Sequence, residues 1–228
     1  MDSRDRCGAA HARNVAARET RSEQVVFFDS VDIMEPGYLA AMHAALLQAP
    51  LVCARIDLAT LNDSSWAIQG GHEQQNGPIR KELGFLPFAG AGTIGIRREL
   101  FLSLHGFDEH LMAYEEADLC WRAQLRENVP PPLHVPDAVL RYRLRGTLMG
   151  RWRQSQRYGE AQVELYRRFG DAGMPRRSVL RGVLSTAKSV LRCLALMWSP
   201  AGRWTAVAIA GTAVGRWRAT LRGGAAYL

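Results

Sequence analysis

The sequence predicts an α/β domain with a largely parallel sheet flanked by helices, followed by a basic helical extension. Short apolar runs such as Val25-Val26-Phe27-Phe28 alternate with helix-length stretches. Those runs are apolar throughout, as strands covered on both faces are. Beyond residue 150 the pattern changes to long amphipathic stretches rich in arginine. With 228 residues, 47% hydrophobic and 22% charged, the chain accommodates one ordinary domain and an appendage. The boundary is placed between a domain at 1–145 and a helical region at 146–228.

Residues 8–22, Ala-rich with charges on one side, predict a helix, and 25–28 a short buried strand with Asp29 at its C-terminal end. Pro36-Gly37 opens a second helix over 38–48, because proline sits well in a first turn. Ala49-Pro50 ends it, and 51–58 reads as a strand. Residues 62–86 are polar, Gly-rich and aperiodic, which predicts a long loop. A strand is expected at 91–96, a helix at 98–104, and a further helix from the acidic octet at 115–122 to about residue 128. Pro130-Pro131-Pro132 breaks the chain before a last strand at 139–144. Three helices complete the reading, at 151–169, 178–198 and 206–218.

The formal net charge of +7 and a pI of about 9.7 call for an anionic partner. Arginine dominates beyond residue 141 and acids thin out, so the charge lies mainly in the tail. Basic amphipathic helices of this kind suit peripheral association with a membrane surface, and equally suit packing against the domain. No alternation of aromatic and basic residues suggests base stacking, so nucleic acid is not an expected partner. The four cysteines match no zinc or redox spacing and demand no oxidising compartment. Residues 1–14 are charged and lack the apolar core of a signal peptide. The expected location is cytoplasmic, at the inner face of the membrane where the tail engages it.

Two acidic clusters carry the candidate chemistry. In Glu115-Glu116-Ala117-Asp118-Leu119-Cys120-Trp121-Arg122, three carboxylates fall within four residues. Acids this close raise one another's pKa and suit proton abstraction or cation binding. They equally suit a solvated helix start, where the dipole favours negative charge. Asp29 and Asp32 stand where a parallel sheet presents ligand-binding acids, and aspartates there also cap turns.

Four segments, in order, resemble family-2 glycosyltransferases, inverting enzymes of the GT-A fold that use nucleotide sugars. They are Gly8-Ala9-Ala10-His11-Ala12-Arg13-Asn14; then Phe27-Phe28-Asp29-Ser30-Val31-Asp32 with Pro36-Gly37-Tyr38-Leu39; then Gly90 to Arg98 with His105-Gly106-Phe107-Asp108-Glu109; and the acidic octet. Together they span residues 8–126. The resemblance implies Glu116 as catalytic base, Asp32 as ligand to Mg²⁺ or Mn²⁺, and Asp29 supporting the metal or contacting the nucleotide. It puts Arg13 on the donor side, where an ion-pair role is as credible, and gives Glu115, Asp118 and Arg122 supporting roles. The implied partners are a nucleotide-sugar donor and a glycan, lipid-linked or small-molecule acceptor. The chemistry explains the residue types: displacement at an anomeric carbon needs a base for the acceptor hydroxyl and a cation for the leaving diphosphate. Hard oxygen ligands suit those cations.

Two departures stand out. Val31 occupies a position where the family usually has aspartate, and Glu116 replaces the commoner aspartate. Gln154-Ser155-Gln156-Arg157-Tyr158 faintly resembles the Gln-x-x-Arg-Trp motif of processive members. The family's layout opens with further nucleotide-binding strands ahead of the Arg-Asn helix. The resemblance therefore implies an N-terminally incomplete GT-A domain, its C-terminal two-thirds, inactive or incomplete as this chain. The alternative it leaves is a non-catalytic remnant that binds glycans or a membrane partner.

Overall fold

A computed structural model describes residues 8–62, 73–79, 83–144, 146–175, 188, 191–196, 198–223 and 227. The elements are α1 (Ala9–Glu19), β1 (Gln24–Val26), β2 (Ile33–Met34), α2 (Tyr38–Gln48), β3 (Leu51–Asp57), β4 (Ile94–Arg97), α3 (Arg98–Ser103), α4 (Glu115–Arg126), β5 (Leu133–Arg141), α5 (Leu148–Phe169) and α6 (Pro200–Gly223). The described residues fall into two compact units. One runs to Arg143 without 83–85 and 112–114; the other joins those two short stretches to the chain from Leu144.

The first unit is built on a five-stranded sheet in the order β1-β4-β3-β5-β2. Its pairing corrects the expectation of a mostly parallel sheet: the sheet is mixed. Only β3 and β5 pair in parallel, while β1–β4, β3–β4 and β2–β5 are antiparallel. Alternating strands and helices suggest parallel crossovers, and β1, β3 and β5 do run in one direction. Strand β4, however, enters between β1 and β3 running the other way, after a long segment whose described residues hold no full helix. Strand β2 has only two residues, too few to show a period of two.

The last strand starts earlier than expected, at Leu133, and contains Pro136. Proline cannot donate to a ladder, and the β3–β5 register shifts between Ala54 and Arg55, opposite this stretch. Arg55 Nε donates to the Pro136 carbonyl across the gap at 3.1 Å. The stretch expected as a strand at 91–96 begins as a short 3-10 turn, Ala91–Thr93, and extends only from Ile94. Most of the expected loop at 62–86 and most of the expected helix at 178–198 lie outside the described residues.

Helix α2 covers one face of the sheet. Tyr38, Met42, Ala45 and Leu46, spaced to fall on one helical face, pack with Val52 and Ala54 of β3 and Val135, Ala138 and Leu140 of β5. Beside it, Phe27, Phe101 and Phe107 form an aromatic triad with ring centroids 5.2–5.4 Å apart. Two consecutive arginines at the β4–α3 junction then hold the ends of two helices. Arg97 donates to the carbonyls of Leu46 and Leu47 at the end of α2, each at 3.0 Å. Arg98 donates to Ala17 and Arg18 near the end of α1 at 2.9 and 2.8 Å. A cation on otherwise unsatisfied C-terminal carbonyls also complements the negative end of each helix dipole.

The second unit is led by α5, capped by Thr147, whose Oγ1 accepts from Gly150 N at 3.1 Å. It packs on α6 with backbones close together. A Cβ added at Gly159 would lie 2.2 Å from the Thr212 carbonyl oxygen, and one at Gly215 would lie 2.1 Å from that of Gln156. Gly159→Ala therefore tests whether close approach or helix propensity dominates. Propensity alone would favour alanine by about 1 kcal/mol; we expect a net loss of about 1–3 kcal/mol in chemical denaturation, because backbone must move.

Candidate active site

The site is framed by α1. Its one buried polar residue, Asn14, donates from Nδ2 to the Phe107 carbonyl at 2.8 Å and to Glu109 at 2.9 Å, and accepts from Phe107 N at 2.8 Å. His11 Nδ1 meets the other oxygen of Glu109 at 2.8 Å. The hydrogen bond from Asn14, then that from His11, hold the Glu109 carboxyl below its usual range. Gly106 makes this docking possible. Its φ is +73°, and a Cβ there would sit 2.4 Å from Asn14 Oδ1.

One residue before Asn14, Arg13 reaches in two directions. Its Nη2 donates to Asp29 Oδ1 at 2.5 Å and its Nη1 to Glu115 Oε1 at 3.1 Å. Its guanidinium also lies over the Phe107 ring, 5.8 Å from the centroid. The acids beyond β1 and those opening α4, which are far apart in sequence, are thus joined through one side chain. Asp29 is pressed against backbone on its other side: a Cβ at Gly92 would come within 3.3 Å of Asp29 Cγ.

Asp32 lies one turn further on, its backbone N–H bonded to the Asp29 carbonyl at 3.0 Å. Its Oδ1 accepts from Arg143 N at 2.8 Å, while its Oδ2 is buried with no hydrogen-bond partner. The hydroxyl of Tyr38, which opens α2, is buried and unpaired as well. Burial first, and the charge of Asp29 after the opposing Arg143 hydrogen bond, push the Asp32 pKa above the usual carboxylate range. Burial and the nearby Asp32 charge likewise raise that of Tyr38.

On α4 the acids divide by face. Glu115 and Glu116 are half-buried in the first turn, Glu115 held by Arg13. Asp118 and Arg122 are buried, at 1% and 8% exposure, and form an i,i+4 ion pair at 2.6 Å. Arg122 also donates to the carbonyls of Leu104 and Gly106, so this pair ties α4 to the turn that Asn14 grips. Trp121, fully buried, donates from Nε1 to the Leu86 carbonyl at 2.8 Å.

Sequence reasoning missed Gln74. It is fully buried, donates to the Ala54 carbonyl at 3.0 Å and to Thr93 Oγ1, and accepts from Gly90 N at 2.9 Å. It thereby fixes the 90–93 turn against which Asp29 sits. Nothing in its polar, aperiodic surroundings singled it out. Asn14 and Glu109 lay inside segments already noted, but their mutual bonding had no local signal.

The fit of a divalent cation can be judged from these donors. Among the described residues no group of three or more His, Cys, Asp or Glu side chains could enclose a metal. Mg²⁺ and Mn²⁺ sites that act on phosphates need fewer, one or two carboxylates with the diphosphate completing the shell. The unpaired buried Oδ2 of Asp32, with Asp29 beside it, fits that incomplete set. Val31, between them, is a hydrocarbon 55% exposed and supplies no ligand.

An acid with a pKa raised by folding stabilises the protein below its unfolded pKa and loses that contribution as pH climbs through the folded value. Asp32→Asn should consequently raise the melting temperature at pH 7, and its advantage should shrink as pH falls towards 4. Thermal melts of both proteins across that range measure it; a constant or reversed difference would contradict the assigned burial.

No protein-family model and no curated protein matches the sequence. Among solved structures, the fold is similar to that of the mannosyltransferase PcManGT from Pyrobaculum calidifontis in complex with GDP-Man and Mn²⁺, with a TM-score of 0.57 at 16% identity, covering 96% of this chain and 68% of that one. S. aureus TarS 1–349 in complex with UDP aligns over 97% of this chain and 73% of its own at 14% identity, but its TM-score of 0.41 is too low to argue from. What the comparison with the mannosyltransferase establishes is a likeness of fold.

Proposed function

We propose that this chain belongs to the inverting, family-2 type of glycosyltransferase with a GT-A fold, moving a sugar from a nucleotide-sugar donor to an acceptor hydroxyl. The observation that carries the reading is the bonding of one side chain, Arg13, to Asp29 in the first acidic segment and to Glu115 in the second. Two carboxylate clusters serving different steps of one displacement must be held in fixed relation, and a bidentate arginine is suited to that. The fold shared with a mannosyltransferase captured with GDP-Man and Mn²⁺ supports it.

In this mechanism Glu116 takes the proton of the acceptor hydroxyl as the oxygen attacks the anomeric carbon. The bond from that carbon to the diphosphate breaks on the opposite face, and the diphosphate departs with the electron pair, giving inversion. Asp32, with Asp29, would hold Mg²⁺ or Mn²⁺, which supplies positive charge for the leaving diphosphate. Arg13 keeps Asp29 and Glu115 in register and acts as a positioning residue. Asp118 and Arg122 hold α4 to the 104–106 turn. The acceptor is a glycan, lipid-linked or small-molecule hydroxyl.

A second reading, a non-catalytic module that binds a glycan or a membrane partner, draws on Val31, which leaves the acid pair without a third carboxylate. Calorimetric titration with Mn²⁺ and a nucleoside diphosphate separates the two: micromolar, cation-dependent binding supports the transferase, and none supports the binding module. For the transferase, turnover on a panel of nucleotide sugars should fall about 100-fold or more in Glu116→Gln, the usual contribution of a general base. Unchanged turnover would remove Glu116 from that role.

A further inference from the structure

The second unit carries a surface that the proposed transfer does not use. From residue 172 to the C-terminus the sequence holds nine lysines and arginines and no aspartate or glutamate. The described part of this stretch exposes large apolar side chains among those cations. Leu191 and Leu194 are 68% and 60% exposed on helical residues 191–196, and Trp198 is 91% exposed at the turn that follows. The spacing of three sets Leu191 and Leu194 along one helical face, and Trp198 stands at the turn beyond them. Lys188, three residues before Leu191, is exposed and helical, and Arg192 is exposed beside it.

The turn is fixed from within the unit, which makes the exposure of Trp198 a built feature. Ser199 N bonds to the Leu196 carbonyl at 3.4 Å, and Gly202 N to Ser199 Oγ at 3.0 Å. A Cβ at Gly202 would lie 2.1 Å from the Leu196 carbonyl oxygen. Cys193 faces α6 instead, its Sγ 3.4 Å from the Ala206 carbonyl. The helical segment thus turns Cys193 inward and Leu191, Leu194 and Trp198 outward.

We propose that this face docks on an anionic lipid bilayer, with Leu191, Leu194 and Trp198 entering the headgroup boundary and Lys188 and Arg192 pairing with lipid phosphates. Charge complementarity selects the occupant: Lys188 and Arg192 on this face, in a stretch of sequence that holds no acid, attract an anionic partner. The apolar side chains select a bilayer over nucleic acid. Leucine beside tryptophan gains nothing from a phosphodiester backbone, whereas tryptophan is favoured at the membrane–water interface. Among the described residues no helix is long and apolar enough to cross a membrane, and apolar side chains flanked by cations suit a contact that lies on the surface.

Co-sedimentation of the full chain with vesicles tests the inference. Phosphatidylcholine vesicles containing 30% phosphatidylglycerol should bind it well above pure phosphatidylcholine, and binding should weaken as salt rises. The double variant Lys188→Gln, Arg192→Gln should lose about 25-fold in partitioning, at about fivefold per cation. Trp198→Ser with Leu194→Ser should lose about tenfold or more while its melting temperature and nucleotide titration stay as in the parent, since both side chains are exposed. Equal binding to the two vesicle types, or unchanged binding by the Trp198/Leu194 variant, would overturn the proposal. So would tighter binding to duplex DNA at the same salt. Loss of nucleotide binding by the parent would count against the proposed transfer and leave this inference standing.

Discussion

The arrangement of the candidate site depends on one guanidinium. Arg13 projects from α1 and takes Asp29 with one nitrogen and Glu115 with another, so the chain end beyond β1 and the start of α4 share a single cation. Its side chain is 13% exposed, and that of Glu115 is 14%. In such partial burial an ion pair is less screened than at an open surface. The next residue, Asn14, locks α1 to the turn that Arg122 holds from the other side. Removing Arg13 would leave two carboxylates partly desolvated and without their shared counter-charge.

Around this bridge the protein tolerates local destabilisation. A buried carboxylate oxygen on Asp32 and a buried hydroxyl on Tyr38, both unpaired, work against folding. An unpaired buried carboxylate has bonding left to offer a ligand, which a satisfied acid has not. Asp118 is the contrast: more deeply buried, but paired with Arg122. Two acids that look alike in composition have been given different surroundings, and the surroundings separate a candidate ligand from a structural pair.

Much of this was legible in the residues. The apolar runs at β1 and β3, Pro36-Gly37 ahead of α2, and the acids opening α4 all mark elements that local propensity determines. The strand directions were not legible, because a helix between two strands does not say whether a third will be inserted antiparallel between them, as β4 is. Strand β5 was misplaced because proline argues against a central strand, and only the register shift near Pro136 accommodates it. Residue type and order singled out Asp29, Asp32 and the octet as candidates. That Arg13 would take both Asp29 and Glu115, and that Gln74 would brace the turn at 90–93, was not, since both are long-range contacts that leave no periodic trace.

The bridge itself is the claim most open to direct measurement. A double-mutant cycle of Arg13→Met and Glu115→Gln, followed by chemical denaturation, isolates the coupling between the two side chains. The structure predicts a coupling of about 1 kcal/mol or more, as expected for contacting, partly buried charges. Effects that add to within about 0.5 kcal/mol would mean that the two residues do not interact, and the joining of the two acidic segments would fail with them.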